Sequence, residues 1–259
     1  MPCPLQGVPG IPDSFQLPRM PNTYFQFKQF IIHQEQAALK VSTDSCLFGA
    51  WCANMISEIH LLPQRILDIG AGTGLLMLML AQKTESLIEG IEIQEPSFLQ
   101  AQSNIRLSTW SDRLRLYKGD VKVYDFSCSY DFILSNPPFY EKDLRSADDS
   151  RNMAMHDAGL KVEDLFRVVD RYLSPEGRFA VLLPAHRVEM VITLAQQQGL
   201  WVEHRCDVKQ TASHSVFRSF LIFSRIQKHT VREEISIRNL AGSYTEQFTD
   251  LLRDYYLYL

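Results

Sequence analysis

The sequence predicts an α/β fold built on a mostly parallel sheet of seven strands with helices on both faces. From Arg65 onward, short apolar runs rich in β-branched and aromatic residues alternate with amphipathic segments, which is the pattern of a parallel sheet flanked by helices. The chain has 259 residues, of which 46% are hydrophobic and 22% charged, and is long enough to bury one substantial core. It shows no internal repeat, so we expect a single domain over residues 22–259.

The predicted strands are seven apolar runs, which read RILDIG, LIEGIEI, LRLYKGD, YDFILSN, RFAVLLPA, WVEHRCDV and FRSFLIFSR. Four helices are predicted between them, near residues 75–84, 96–108, 160–173 and 187–198. The last two strands are joined by a polar stretch without helical periodicity. We therefore expect these two strands to pair antiparallel at one edge of the sheet.

The two ends of the chain carry smaller predicted features. Residues 1–21 contain six of the twelve prolines, a composition that does not form a packed element and predicts a flexible leader. The aromatic-rich segment from Tyr24 to Lys40 predicts a small hairpin ahead of the main sheet. Near the carboxyl terminus, Ser243 and Glu246 have the spacing of a capping box and predict a helix through TEQFTDLLRDYYL.

Composition excludes several classes of protein. No apolar run approaches the roughly 20 residues that span a bilayer, and the amino terminus lacks the pattern of a secretion signal. The five cysteines are an odd number without a CxxC pair, which favours a reducing cytoplasm over a disulfide framework and predicts no zinc site. The histidines show no metal-ligand spacing, so we predict no metal. The net charge of -4 gives no general attraction for phosphate, and nucleic-acid binding would require a local basic patch.

A glycine-rich turn is predicted where the first strand ends. Asp68, Gly70, Gly72 and Gly74 occupy the motif D-I-G-A-G-T-G, and glycines let the backbone turn sharply and approach a ligand closely. The third glycine follows the second by two residues instead of the three of dinucleotide-binding turns. An acid before the first glycine suits a ligand with an ammonium group better than a diphosphate. The motif therefore favours S-adenosylmethionine as cofactor.

Two further acids end the next two predicted strands. Glu92 follows Gly72 by 20 residues and is placed to accept hydrogen bonds from both hydroxyls of a ribose. Asp120, in Y-K-G-D, is placed to accept from an adenine amino group. Open parallel sheets bind ligands at the carboxyl ends of their strands. Three acids at three consecutive strand ends therefore predict a cofactor cleft there.

The fourth strand runs directly into Asn136, Pro137, Pro138 and Phe139. An amine conjugated to a ring is a poor nucleophile until its lone pair is freed from the π system. Hydrogen bonds from its two hydrogens to the Asn136 side-chain oxygen and the Pro137 carbonyl favour the tetrahedral nitrogen that attacks, and prolines hold that carbonyl rigidly. Phe139 offers a face on which the target base stacks. We predict that this tetrapeptide is catalytic.

These motifs resemble the class I amino methyltransferases that carry N-P-P-[FY]. The segments FKQF, KVSTD with LFGAW, DIGAGTGLL, SNPPF and the tail ISIRN with YTEQFTDLLRDYYLYL are similar to the bacterial tRNA1(Val) adenine-N6 methyltransferase family, from Tyr24 to Leu259. The resemblance implies tRNA as partner and N6-methylation of the adenosine immediately 3′ to the anticodon. It also implies that Lys40 and Thr43 border the cofactor cleft. Independently, Thr43 and Asp44 are predicted to cap a helix.

Basic residues near the carboxyl terminus are candidates for RNA binding. Seven Lys or Arg lie between residues 205 and 238, against three acids, and such a local excess of positive charge suits phosphate binding. From this group we single out Arg218, Arg225 and Arg232. The other candidates flank the expected substrate entrance, and they are Lys28, Arg145 and Arg151. No obligate protein partner is indicated.

Four other functions fit parts of the same pattern. Methyltransferases with N-P-P-Y act on a glutamine of release factors, but they carry a helical amino-terminal domain and Tyr where this chain has Phe139. A methyltransferase acting on ribosomal RNA shares the same site chemistry. A non-catalytic cofactor-binding protein is disfavoured by the intact Asn136, and a nicotinamide oxidoreductase by the glycine spacing.

Overall fold

A computed structural model describes residues 22–37, 39–137 and 160–259. The predicted leader, Pro138, Phe139, Arg145 and Arg151 lie outside the described residues. At the amino-terminal end of the described chain, β1 (Tyr24–Gln26) and β2 (Ile31–His33) pair antiparallel as a separate two-stranded sheet. The predicted hairpin is therefore confirmed, but it ends at His33 and does not extend to Lys40.

The remaining elements alternate along the chain as the apolar runs predict. In chain order they are α1 (Thr43–Glu58), β3 (Arg65–Ile69), α2 (Leu75–Ala81), β4 (Leu87–Glu92), α3 (Glu95–Arg106), β5 (Leu114–Lys118), β6 (Tyr130–Ser135), α4 (Val162–Tyr172), β7 (Leu173–Pro184), a 3-10 turn (Ala185–Arg187), α5 (Val188–Gln197), β8 (Trp201–Thr211), β9 (Val216–Ser224), β10 (Val231–Arg238) and α6 (Glu246–Leu252).

The main sheet has the strand order β10-β8-β9-β7-β6-β3-β4-β5. Strand β9 is antiparallel to both of its neighbours, and the other neighbouring pairs are parallel. The α/β class with a mostly parallel sheet is confirmed. The predicted count of seven strands is wrong, because within the described residues the sheet has eight. The predicted antiparallel pair exists as β8 and β9, but β10 covers it and forms the edge.

Strand β10 escaped prediction because it has no continuous apolar run. Its first four residues are exposed and three of them are charged, and only Ile235 and Ile237 are buried. Charged side chains on an edge strand prevent it from pairing with another molecule. The same charges remove the hydrophobic signal by which the inner strands were recognised.

Two hydrophobic cores form on the two faces of the sheet. Alternate residues of β7 show the division: Phe179, Val181 and Leu183 pack into one core, and Ala180 and Leu182 into the other, as the two-residue period of a strand requires. Helices α4 and α5 cover the first face, while α1, α2 and α6 cover the second. Helices on both faces were predicted and are confirmed.

Two predicted helix caps are displaced in the structure. Helix α1 is capped by Ser42, whose side chain accepts from the Ser45 N–H, so Thr43 and Asp44 fall inside the first turn. Helix α6 is capped by Thr245, whose hydroxyl accepts from the Phe248 N–H. Ser243 lies two residues ahead of this cap, in the preceding turn, where its N–H donates to the Asn239 side chain.

Candidate active site

The glycine turn joins β3 to α2 at the carboxyl edge of the sheet. Gly70, Gly72 and Gly74 have φ of 78°, 56° and 80°, the left-handed region that glycine enters without a steric cost. The N–H groups of Gly70 and Ala71 donate to the Ile91 carbonyl, at 3.0 and 3.1 Å, which fixes the turn over the end of β4. The chain thus leaves β3 and enters α2 above the position where Asp68 is buried.

The carboxylate of Asp68 is enclosed by protein. The residue has no exposed surface, and neither side-chain oxygen has a hydrogen-bond partner within the part of the chain that the structure describes. Burial, together with the negative charge of Glu92, raises the pKa of Asp68 to about 8. A buried acceptor without a donor is costly, so this site favours a ligand that brings a positive charge or hydrogen-bond donors.

Glu92 and Asp120 lie at the carboxyl ends of the two adjacent strands, β4 and β5. Glu92 is 7% exposed and accepts from the N–H of Gly72 at 2.9 Å and of Gln94 at 2.7 Å, through different oxygens. A carboxylate has about four acceptor positions, so Glu92 retains capacity for two hydroxyl donors. Asp120 forms an ion pair with Lys122 at 3.3 Å. The structure thus places the three predicted acids side by side, on consecutive strands.

These groups fit the chemistry of S-adenosylmethionine. The partnerless, buried carboxyl of Asp68 suits its ammonium group, the remaining acceptor positions of Glu92 suit its ribose diol, and Asp120 suits its adenine amine. Gly70 and Gly72 have no Cβ to block the approach of a ligand to the turn. Within the described residues no group of His, Cys, Asp or Glu side chains could hold a metal ion.

Asn136 follows β6, which pairs with β3 on the side opposite β4. Its amide nitrogen Nδ2 donates to Ser45 Oγ at 2.9 Å, which leaves Oδ1 as the side-chain acceptor. The preceding residue, Ser135, donates from its hydroxyl to the Ile69 carbonyl at 2.8 Å and holds the end of β6 against the glycine turn. Asn136 is half-buried and Pro137 is buried. The structure therefore brings Asn136 to the same sheet edge as the three acids.

The bond between Asn136 and Ser45 also brings the start of α1 to this edge. Thr43 is exposed in the first turn of that helix, and Lys40 is exposed just ahead of it. Sequence reasoning missed Ser45. Polar residues at a helix start are ordinary caps, and nothing in the local sequence shows that one of them meets a side chain 91 positions away.

Those predicted RNA-binding residues that the structure describes do not form one surface. Arg218 is in register with Pro184 at the carboxyl edge, where its Nε donates to Asp44 at 2.9 Å. Arg225 follows Ser224, which pairs with Arg178 near the opposite edge. Arg225 there forms an ion pair with an aspartate of α4.

Arg232 and Lys28 also lie away from Arg218. Arg232 is on β10, the outermost strand, four strands from β6. Lys28 donates to the Arg253 carbonyl, and the next residue, Asp254, pairs with Lys83 just beyond α2. Lys28 is thus near the end of α2 that is remote from the glycine turn.

The chain is similar in sequence to a known family of domains and to several bacterial enzymes. A model of the methyltransferase small domain matches residues 52–188. The tRNA1(Val) (adenine(37)-N6)-methyltransferase of Bacteroides thetaiotaomicron is 35% identical over 93% of this chain and 100% of its own. The enzymes of the same name from Flavobacterium psychrophilum and Photorhabdus laumondii are 37% and 34% identical, over 90% of this chain and 99% and 95% of their own. The chain belongs to this family.

Solved structures support the methyltransferase fold of this family member. The ribosomal protein L11 methylase of Lactobacillus delbrueckii has a TM-score of 0.52 at 14% identity and covers 74% of this chain and 82% of its own. The glycopeptide N-methyltransferase MtfA, in complex with S-adenosylmethionine, has a TM-score of 0.51 at 11% identity and covers 68% and 93%. At these identities the likeness shows the fold alone, and that fold is the class I methyltransferase fold predicted from the sequence. None of the described helices is long and apolar enough to cross a membrane.

Proposed function

We propose that this methyltransferase transfers a methyl group from S-adenosylmethionine to N6 of an adenosine in tRNA, the one immediately 3′ to the anticodon. The observation that carries the proposal is the placement of Asn136. Its amide lies at the carboxyl edge of the sheet, beside the glycine turn and the three acids, with Nδ2 engaged and Oδ1 left to accept. The relatives named as tRNA1(Val) (adenine(37)-N6)-methyltransferases support the choice of base and RNA.

The proposed cofactor site uses one side chain from each of three strands. When bound, S-adenosylmethionine supplies an electrophilic methyl group on a sulfonium. Asp68 receives the ammonium group, which supplies the positive charge that its buried carboxylate lacks. Glu92 accepts from the ribose hydroxyls, and Asp120 accepts from the adenine amine. Gly72 keeps Glu92 in place through its N–H.

Catalysis is proposed to depend on acceptors for the target amine. Asn136 Oδ1 and the Pro137 carbonyl each accept one amino hydrogen of the adenine, which holds the nitrogen lone pair toward the methyl group. Preorganised hydrogen bonds of this kind stabilise the transition state because they need no rearrangement during the reaction. The roles of Pro138, as a rigid support, and of Phe139, as a stacking face for the base, stay proposals from the sequence.

The proposed RNA contact at the carboxyl edge of the sheet includes fewer basic residues than the sequence suggested. Arg218 lies there, and Arg238 lines a cavity of about 200 Å³ together with Thr43, Asp44 and Phe217. Arginine and aromatic side chains together suit phosphates and unstacked bases. We retain Arg218, add Arg238, and leave Lys28, Arg225 and Arg232 out of the proposed contact. Arg145 and Arg151 stay in it on their sequence position after N-P-P-F.

We propose that the protein acts in the cytoplasm and needs no obligate protein partner. The proposal can therefore be tested with the purified protein. It is incubated with methyl-labelled S-adenosylmethionine and a tRNA1(Val) transcript that carries either A or G immediately 3′ to the anticodon. Nucleoside mass spectrometry should find labelled N6-methyladenosine with the A transcript and no label with the G transcript. Parallel reactions contain a release factor or ribosomal RNA in place of the transcript. Label on the release-factor glutamine or on ribosomal RNA, with none on tRNA, would overturn the proposal.

A further inference from the structure

A chain of hydrogen bonds runs from the proposed catalytic amide into the first turn of α1. Asn136 Nδ2 donates to Ser45 Oγ at 2.9 Å, and Ser45 Oγ lies 2.7 Å from Ser42 Oγ. The Ser42 hydroxyl in turn donates to Asp44 Oδ1. On its other oxygen, Asp44 accepts from Arg218 Nε at 2.9 Å. Four side chains of the α1 segment and β9 thus stand in line behind Asn136.

The direction of this chain is set by Asp44. An ionised carboxylate only accepts, and Asp44 forms an ion pair with the guanidinium of Arg218 at 2.9 Å. Ser42 must therefore donate to Asp44, which leaves its oxygen to accept from Ser45. Ser45 then uses its single proton on Ser42, so its oxygen can only accept from Asn136.

This direction decides which end of the Asn136 amide faces the substrate. An asparagine can be rotated by half a turn with little change in shape, which exchanges its oxygen and nitrogen. Rotated in that way, Oδ1 would face a Ser45 hydroxyl whose proton is engaged with Ser42, and Nδ2 would face the amino hydrogens of adenine. Both contacts would be unfavourable, because acceptor would meet acceptor and donor would meet donor.

We propose that Ser45 is a positioning residue that holds the Asn136 amide with Oδ1 toward the target amine. The proposal rests on the proposed function, since it assigns Asn136 the acceptor role. Ser45 is 9% exposed, and Ser42 and Asp44 lie in the same turn, so water has little access to replace it. Ser45 acts through Asn136 and has no role of its own in the chemistry.

A double-mutant cycle tests this coupling. Ser45→Ala should lower kcat by about tenfold, the effect of losing one orienting hydrogen bond, with unchanged S-adenosylmethionine affinity and an unchanged KM for tRNA. In an Asn136→Ala background the same substitution should have no further effect, because no amide remains to orient. Ser45→Thr retains the hydroxyl and should recover most of the lost turnover. Equal losses in both backgrounds would overturn the proposal.

Two further measurements distinguish the positioning role of Ser45 from an effect on folding and from a failure of the proposed function. Ser57→Ala, an exposed serine of the same helix, is the matched control and should leave both kcat and the unfolding midpoint unchanged. The side-chain amide NMR signals of Asn136, assigned by their loss in Asn136→Ala, require no RNA. In the free protein, Ser45→Ala should shift them and speed their hydrogen exchange. Unchanged signals would overturn the positioning role, whereas failure of the parent protein to methylate tRNA would overturn the proposed function alone.

Discussion

The position of Asp68 was predictable from the sequence, but its burial and its pKa were not. Sequence position predicted an acid beside the glycine turn, and the structure places it there with no exposed surface and no partner among the described residues. Its pKa, which burial and Glu92 raise to about 8, could not be read from sequence. Burial depends on the helices and strands packed around a residue, and the motif does not contain them.

Asp68 should make the stability of the cofactor-free protein depend on pH. Its pKa is about 8 when folded and near 3.8 when unfolded, so the folded state binds more protons between these values. The contribution of Asp68 to stability is therefore full below pH 4 and is lost as pH rises to about 8, by at most ~1.4 kcal/mol per pH unit. Asp68→Asn should remove this part of the slope.

Urea unfolding of the parent protein and of Asp68→Asn from pH 5 to 8 measures the difference. Saturating S-adenosylmethionine should reduce the slope of the parent protein, because its ammonium group stabilises the ionised carboxylate. If the free energy of unfolding changed with pH in the same way for both cofactor-free proteins, the pKa of Asp68 would not be raised by burial.

Helices and strands were predictable where the local pattern of apolar residues determines the type of element. The strands β3 to β9 and the helices between them match predicted runs, because buried strands and amphipathic helices carry their own period. The caps were harder. S-x-x-E at Ser243 and T-E at Thr245 compete for the same helix start, and the turn made by Asn239 decides between them.

The cap of α6 gives a test at this scale. Thr245→Ala removes the acceptor for the Phe248 N–H and the donor to the Ser236 carbonyl, so we expect it to lower the free energy of unfolding by ~1–2 kcal/mol. Ser243→Ala, at the position that the sequence favoured, should change it by less than about 0.5 kcal/mol. Equal losses in chemical denaturation would contradict Thr245 as the cap, and a larger loss for Ser243→Ala would move the cap to Ser243.

The whole molecule determines which basic residues can act together. Their clustering in sequence between residues 205 and 238 suggested one RNA surface, but a strand crosses the sheet from one edge to the other, so its two ends lie at opposite edges. Arg218 and Arg225 are the two ends of the same strand region, and only Arg218 lies at the edge of Asn136. The partners of these charges, such as Asp44 and Asp170, are distant in sequence and were not predictable.

The salt dependence of tRNA binding distinguishes the two edges. Replacing Arg218 and Arg238 with Gln should flatten the plot of log affinity against log salt by about one unit per lost phosphate contact. Replacing Arg225 and Arg232, the matched pair from the same basic region, should leave the slope unchanged. The opposite ranking would place the RNA along the other edge.

The central claim is that Asn136 accepts a hydrogen bond from the adenine amine as the methyl group is transferred. Asn136→Ala leaves the glycine turn, Asp68 and Glu92 in place, so S-adenosylmethionine affinity by calorimetry should match that of the parent protein. Single-turnover formation of N6-methyladenosine in the tRNA1(Val) transcript should fall by about 10²–10³, the loss typical of one preorganised transition-state hydrogen bond. If Asn136→Ala methylates the transcript as fast as the parent protein, Asn136 does not have this role.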